Sequence, residues 1–281
     1  MSGTTSIVID RARKDVVNSD SPLAFDTSGS KEWPVWDRYL RIDGERAYHL
    51  GNICGTCRFM FERMEGANRL VNVGRLTTRL EAGVERLDGS LVDSLARLMP
   101  AGSYYVALMR LYLTIVRLGS PEDYFLSEQV ENEREGGSLS LAPHDPQVPY
   151  YRAGQRRITF DLGRLSGPVG RLFQFVVPMF AERSLNPARI GHYKNIIAAG
   201  TVPTALAISV LDVKGPAMGG IDHWCLAHYL VDGHHKVAAA ANSGSPLSVI
   251  TFLAADHSVA SKAAIEAALA ALEGGVEENV Q

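Results

Sequence analysis

The residues best suited to do chemistry lie in one run, Leu230-Val231-Asp232-Gly233-His234-His235-Lys236-Val237-Ala238-Ala239-Ala240-Ala241. The run predicts an apolar strand that ends at Asp232-Gly233 and an alanine-rich helix that begins with His234, His235 and Lys236. Cations are disfavoured in the first turn of a helix, at a cost of roughly 0.3–1 kcal/mol each, because the macrodipole places partial positive charge there. An anion bound by the free backbone N–H groups and these side chains would reverse that cost. The run therefore predicts an anion site, and phosphate is the first candidate.

Two simpler interpretations of the same run are available. Asp-Gly is a common hairpin turn, and two adjacent histidines can be surface residues without a ligand. The residues after Gly233 have a helical composition, however, and the next apolar strand begins near Pro246. A strand-to-helix junction is therefore favoured over a hairpin.

A second motif is Cys54-Gly55-Thr56-Cys57, which lies between predicted strands and resembles the knuckle of a zinc ribbon. A structural zinc site needs four ligands, and His49 is the candidate third; His144, Cys225, His223 or a carboxylate would be the fourth. The first alternative is a redox-active dithiol, which usually precedes a helix that lowers a thiol pKa, whereas a strand is predicted here. The second alternative is two inert thiols at a turn.

The overall composition narrows the class of protein. The chain has 281 residues, of which 46% are hydrophobic and 21% charged, with a net charge of −3. This composition is typical of a globular protein, and the absence of a basic excess argues against a nucleic-acid partner. No apolar run approaches the roughly 20 residues that cross a bilayer, and the N-terminus lacks a signal-peptide layout. Three cysteines favour a reducing compartment. We therefore expect a cytoplasmic protein with a small-molecule substrate and no membrane partner.

The elements that position these motifs follow from periodicity and turn signals. Residues 1–30 are polar and aperiodic and predict a mobile tail. Residues 31–165 predict a β-rich module that carries the CxxC knuckle, with a hairpin at Asp43-Gly44 and a short helix capped at Ser90. Residues 166–281 predict the order helix, strand, strand, helix, strand, helix, with the first helix capped by Asn186-Pro187. The expected fold class is α+β with a mixed sheet in the C-terminal part.

That order, with its central DGHHK junction, resembles the ParB/sulfiredoxin superfamily over about residues 175–255. The matching segments run from Leu185-Asn186-Pro187 to Gly200-Thr201-Val202-Pro203-Thr204, and from Tyr229 to Ala239. Members share a phosphate cradle but differ in activity, and the DGHH-[RK] spelling is most like the branch of ADP- or ATP-dependent free serine kinases. Sulfiredoxins have a cysteine where this chain has His234. Lys236 stands where arginine is usual, which keeps the charge but loses the bidentate fork.

The resemblance implies a nucleotide-dependent phosphotransferase that uses ATP or ADP with Mg²⁺ and acts on a small hydroxylated, amino-acid-like metabolite. It implies that Gly233 allows close approach of the backbone and that His234, His235 and Lys236 hold the phosphates. Asp232 would hold the substrate or Mg²⁺, and the base for the acceptor hydroxyl would be Glu182, or alternatively Asp222. Two other functions remain open: a DNA-associated ParB-like protein or nuclease, and a non-catalytic metal-binding regulator with Zn²⁺ at the CxxC. The oligomeric state is not predicted.

Overall fold

The computed structural model describes residues 6–18, 20–69, 71–129, 149–159, 169–215 and 221–273. Its strands are β1 Ile7–Val16, β2 Leu23–Ser28, β3 Asp37–Ile42, β4 Glu45–Asn52, β5 Glu62–Arg63, β6 Gly102–Tyr112, β7 Thr114–Val116, β8 Tyr150–Thr159, β9 Val169–Val177, β10 Thr204–Lys214, β11 Asp222–Asp232 and β12 Pro246–Ala254. Its α-helices include α1 Thr77–Ala82, α2 Gly89–Ala96, α3 Pro187–Ala198, α4 His234–Ser243 and α5 Lys262–Glu273.

The strands form one large mixed sheet and one small antiparallel sheet. The large sheet has the order β1-β6-β12-β10-β11-β9-β8-β7, and the small sheet the order β2-β3-β4-β5. In the large sheet β10 runs parallel to β12, and β11 runs parallel to β9, while the other neighbours are antiparallel. The predicted α+β class with a mixed sheet is therefore confirmed.

The large sheet is the middle of three layers. On one face, buried residues of α4 and α5 such as Val237 and Leu269 pack against the sheet. On the other face, the small sheet, α1 and α2 contribute buried residues such as Tyr48 and Leu91 to a second core. Because both faces are covered, β10 and β11 are buried along almost their whole length and their sequences are nearly continuously apolar.

The large sheet curls back on itself. Only Leu113 separates β6 from β7, yet β6 pairs with β1 and β12 at one side of the sheet and β7 pairs with β8 at the other. Helix α4 contacts β7, β10 and β12. The alanine-rich sequence of α4 suits this position, since small side chains allow a helix to approach the sheet closely.

The prediction of a mobile tail over residues 1–30 is wrong for β1 and β2, which are strands of the large and small sheets. β1 is an edge strand, and its charged side chains form ion pairs with α5 instead of burying apolar surface: Arg11 with Glu273, and Arg13 with Glu266. Charged side chains are common on edge strands because they oppose further strand pairing. The polar composition of this segment therefore reflects its place in the sheet.

The predicted division at residue 165 does not separate two sheets. Strands from both sides of it pair in the large sheet, for example β8 with β9 and β6 with β12. The hairpin prediction is confirmed: Asp43 and Gly44 have φ of 46° and 84°, as a tight two-residue turn requires. The predicted cap of α2 at Ser90 is wrong, because Asp88 accepts the hydrogen bond from the Leu91 N–H at 2.9 Å.

The predicted order of elements in the C-terminal part is confirmed from α3 to α5. Asn186 caps α3 as predicted, since its Oδ1 accepts hydrogen bonds from the N–H groups of Ala188 and Arg189 at 2.9 and 3.4 Å. Gly200 follows this helix with φ 92°, a conformation that favours glycine. Among the helices within the described ranges, none is long and apolar enough to cross a membrane.

Candidate functional site

The strand–helix junction depends on the backbone conformation of Gly233. This residue has φ +100° and precedes α4 directly. A Cβ at this position would lie 2.7 Å from the Cβ and 3.0 Å from the Cα of Ala205, well inside van der Waals contact. Packing against β10 therefore requires glycine here, independently of any ligand.

The His234 side chain is turned into the protein. Its Nε2 accepts a hydrogen bond from the Met179 N–H at 3.0 Å, and its ring makes an edge contact with the Phe180 ring at 5.1 Å between centroids. Burial, with a smaller contribution from His235, lowers the pKa of His234 to about 3. His234 is therefore neutral at physiological pH with its proton on Nδ1, and it joins α4 to the end of β9.

The depressed pKa of His234 predicts a loss of stability at acid pH. The unfolded chain protonates His234 near pH 6.5, whereas the folded chain does so only near pH 3. Stability is thus lost as the pH falls through this window, by up to about 1.4 kcal/mol per pH unit. In urea unfolding between about pH 6.5 and 5.5, we expect the wild type to lose about 1 kcal/mol more than His234→Gln, whose amide oxygen can accept the same bond. Identical pH dependence would contradict this role.

His235 and Lys236 also bond to the protein. The Nε2 of His235 accepts from the Asn186 N–H at 3.1 Å, and the Nζ of Lys236 donates to the Thr204 carbonyl at 2.9 Å and to Asp232 Oδ2 at 3.3 Å. Burial lowers the pKa of both groups, in His235 with help from Arg189 and in Lys236 against the attraction of Asp232. Lys236 is only 2% exposed. The side chains predicted to hold phosphate thus have structural partners, and of the three only His235 is partly exposed.

Two helix N-termini converge at this junction. The hydrogen bond between His235 and Asn186 joins the first turn of α4 to the cap of α3. In both helices, which lie wholly within the described residues, the first turn contains no acidic residue. It contains a cation instead: Lys236 in α4, and Arg189, which is exposed, in α3. The positive N-terminal ends of α3 and α4 and the charges of Lys236 and Arg189 therefore all contribute positive potential at the strand–helix junction.

Acidic groups balance part of this charge. The Asp232 carboxylate, whose side chain is 27% exposed, lies 3.3 Å from Lys236, and Glu81 pairs with His192 at 2.6 Å. Asp232 is therefore partly accessible at the junction, next to the buried ammonium group. The role predicted for it, that of a carboxylate facing substrate or Mg²⁺, stays a prediction.

The predicted bases lie away from the junction. Glu182 begins a short 3-10 turn over Glu182–Ser184, and its Oε1 accepts from Asn242 Nδ2 at 2.7 Å. Asn242 is in the last turn of α4, about 12 Å along the helix from His234 at 1.5 Å per residue. Asp222 begins β11, about 33 Å from Asp232 at 3.3 Å per residue. The structure does not bring either carboxylate to Asp232.

Those proposed zinc ligands that lie in the described residues do not form a metal-binding cluster. His49 stacks on Tyr39, and its Nε2 lies 3.1 Å from Asp37 Oδ1. Cys225 is buried beside Tyr124. Within the ranges that the structure describes, no three His, Cys, Asp or Glu side chains are placed to hold a metal ion; His144 lies outside those ranges. Cys54 and Cys57 remain as a pair.

The Cys54–Cys57 loop is anchored to β10. Lys214, at the end of that strand, is 3% exposed, and its Nζ donates to the carbonyls of Cys54 at 2.6 Å and Asn52 at 3.0 Å. The Gly215 N–H donates to the Gly55 carbonyl at 2.7 Å. Lysine side chains are usually exposed in proteins. Here the buried ammonium group of Lys214 holds the Cys54–Cys57 loop against β10 and places a positive charge behind the two thiols.

His228 is a structural residue of β11. It is fully buried, and its Nδ1 lies 2.8 Å from Ser209 Oγ and 3.3 Å from Thr251 Oγ1 on neighbouring strands. Burial lowers the pKa of His228 to about 3. The neutral ring therefore contributes to pairing within the sheet.

A separate cleft of about 590 Å³ lies at the other end of α4. It includes Gly244 and the ion pair between Arg152 and Glu128, which are 2.7 Å apart. Its other lining residues are Tyr112, Leu113, Thr114, Val116, Pro121, Glu122, Ala153 and Gly154. The cleft is one helix length away from Gly233, so it is not part of the strand–helix junction.

Two residues escaped the sequence analysis. Arg189 is a cation in the first turn of a helix, the same feature that made His234 a candidate. A search for this feature in α3 would have identified Arg189. Lys214 had no local signal, because its role depends on how the CxxC loop packs on β10. Comparison of the chain with protein-family models, with curated proteins and with solved structures found no match.

Proposed function

We propose that this protein is a nucleotide-dependent phosphotransferase that acts on a small hydroxylated, amino-acid-like metabolite and binds phosphate at the Asp232–Lys236 junction. The observation that supports this most is the convergence of the N-termini of α3 and α4, with cations and no acidic residue in either first turn. Helix N-termini favour anions because unpaired N–H groups and the macrodipole act together. The resemblance to phosphate-binding members of the ParB/sulfiredoxin superfamily points the same way.

In this proposal the side chains divide into two groups. His234 and Lys236 are positioning residues, since their bonds to Met179 and Thr204 fix the first turn of α4. His235 is partly exposed, and with Nε2 accepting a bond its neutral ring carries a proton on Nδ1 that can be donated to a phosphate oxygen. Arg189 supplies the exposed charge. Phosphoryl transfer depends mainly on positioning and charge neutralisation, which these groups suit.

ATP or ADP with Mg²⁺ is the proposed cofactor. Mg²⁺ in such sites is held by one or two carboxylates together with the phosphates of the nucleotide, and it neutralises their charge. Asp232 is the partly exposed carboxylate at the junction and would hold the ion. We assign no base to the acceptor hydroxyl, because Glu182 and Asp222 lie elsewhere.

Removal of the Arg189 charge is expected to weaken nucleotide binding. A charge-assisted hydrogen bond contributes about 1.5–3 kcal/mol, so Arg189→Gln should raise the Kd for ATP or ADP with Mg²⁺ by about 10- to 100-fold in calorimetry. Lys194→Gln is the matched control, because Lys194 is also exposed on α3 but outside its first turn. Transfer of phosphate to an amino-acid pool, followed by mass spectrometry, tests the reaction itself.

Two results would overturn this function. One is that the wild-type protein binds neither nucleotide at millimolar concentration. The other is that Arg189→Gln and Lys194→Gln reduce binding equally, which would mean that charge on α3 acts only at long range and that no phosphate site exists at the junction.

A further inference from the structure

Cys54 and Cys57 lie in one turn at the surface, after the end of β4. Both cysteines are unpaired and partly exposed. They interact directly with one another, and Cys54 Sγ lies 3.3 Å from the Thr56 hydroxyl oxygen. The Cys54 N–H donates to Asn52 Oδ1 at 3.1 Å, which fixes the turn. The two cysteines are separated by two residues in one turn, the spacing of Cys-X-X-Cys motifs in disulfide oxidoreductases.

The surroundings make the two thiols chemically different. Burial opposes ionisation of Cys54, but hydrogen bonds from Cys57 and Thr56 outweigh it and lower the pKa of Cys54 to about 7. Burial and the bond to Cys54 raise the pKa of Cys57 to about 11. A thiolate is the nucleophile in cysteine chemistry. The environment therefore selects Cys54 as the attacking group and keeps Cys57 protonated beside it.

The loop is held in place from beneath by charged groups. Lys214 bonds the carbonyls of Cys54 and Asn52, and Arg38, itself 3% exposed, donates to the Asn52 carbonyl at 3.3 Å. By contrast, Cys225 is fully buried, and burial raises its thiol pKa well above the usual range. The same chain thus contains two partly exposed thiols in an anchored loop, and a buried, unreactive thiol, Cys225, that can serve as an internal control.

We propose that Cys54 and Cys57 form a thiol–disulfide exchange centre, in which Cys54 attacks a substrate disulfide and Cys57 resolves the mixed disulfide. This activity is independent of the proposed phosphotransferase, because it uses no residue of the strand–helix junction. The chemistry is the same for a low-molecular-weight disulfide and for a polypeptide disulfide.

The reaction balances as a two-electron exchange. The Cys54 thiolate attacks one sulfur of the substrate, forms a mixed disulfide and expels the first substrate thiolate. The Cys57 thiol passes its proton to that thiolate and attacks the Cys54 sulfur, which forms the Cys54–Cys57 disulfide and expels the second thiolate. The protein dithiol is oxidised and the substrate disulfide is reduced to two thiols. A dithiol reductant returns the protein to its starting state.

The experiment uses the full chain with glutathione disulfide in one arm and a disulfide-bonded peptide in the other. Intact-mass measurement should show loss of two hydrogens in the wild type. Cys57→Ser should accumulate a mixed disulfide on Cys54, and Cys54→Ser should react about 100-fold more slowly, because the remaining thiol is protonated. The relative rates in the two arms identify which source of disulfide is preferred.

A second measurement separates a functional thiol pair from ordinary surface cysteines. The rate of alkylation of Cys54 should rise with a midpoint near pH 7. Thr56→Val should shift this midpoint upward, and Thr56→Ser, which keeps the hydroxyl, should restore it. Cys225 should stay unmodified in the folded protein.

Three outcomes would overturn the proposal. The first is equal reactivity of Cys54→Ser and Cys57→Ser without a trapped mixed disulfide. The second is an alkylation midpoint in the usual range for free cysteine, unchanged by Thr56→Val. The third is one equivalent of tightly bound zinc that protects both thiols until a chelator is added, which would identify a metal site. None of these results depends on nucleotide binding.

Discussion

Replacing Arg38 with methionine is expected to lower the free energy of unfolding by about 3–5 kcal/mol, because it leaves a carboxylate buried without its counter-ion. Arg38 lies on β3 of the small sheet and binds both oxygens of Asp212 on β10 of the large sheet, at 2.9 and 2.5 Å. Its guanidinium also donates to the carbonyls of His257, Leu50 and Asn52. The side chain therefore joins the two sheets through a single buried group.

Urea unfolding of Arg38→Met tests this expectation against an exposed ion pair. Lys262 and Asp256 are 3.6 Å apart, and their side chains are 63% and 48% exposed, so Lys262→Met should cost less than about 1 kcal/mol. The double variant Arg38→Met/Asp212→Asn should be more stable than the sum of the single effects predicts, since it removes both charges. Additive effects, or a cost for Arg38→Met no larger than that of the control, would show that the buried pair does not connect the layers energetically.

Gly233→Ala is expected to cost about 2–5 kcal/mol of stability. A left-handed conformation costs a residue with a Cβ roughly 1–2 kcal/mol, and the new Cβ would lie 2.7 Å from the Cβ of Ala205. Overpacking of this kind typically costs a further 1–3 kcal/mol. The neighbouring atoms belong to a buried strand, so relief requires movement of either α4 or β10.

The other end of the same helix supplies the control. Gly244 has φ +57°, and a Cβ there would have no neighbouring atom within 4 Å. Gly244→Ala should therefore show only the conformational cost, roughly 1–2 kcal/mol. The difference between the two variants in denaturant midpoint measures the contact with Ala205. Equal costs at the two glycines would mean that the junction is looser than its packing indicates.

Local signals made several elements predictable. The cap at Asn186, the turn at Asp43-Gly44 and the break at Asp232-Gly233 each depend on residues within a few positions of one another. The predicted last helix is α5, whose apolar residues Ile265, Leu269 and Leu272 are buried. Such short-range signals predict the structure correctly because the tertiary packing favours the same local conformations.

Long-range contacts explain what the sequence did not reveal. Arg11 and Arg13 belong to a strand because β1 pairs with β6, and their charges are matched by acidic residues of α5 more than 250 positions away. His234 accepts a hydrogen bond from the backbone of Met179, and no sequence pattern predicts that these two residues are in contact. The same holds for the candidate site: the motif at Gly233 was found, but the neighbouring helix end that contributes Arg189 was not.

The place of β12 within the large sheet bears on how the protein is made. This strand inserts between β6 and β10, although it comes after all the other strands of the described residues. During synthesis on the ribosome, the edge of β6 that will receive it must wait until residues 246–254 have emerged. The early half of the chain therefore cannot complete its sheet alone, and such dependence on distant pairings slows folding. Completion of the large sheet should thus follow the synthesis of β12, and the nascent chain before that point is the stage at which chaperones have most to protect.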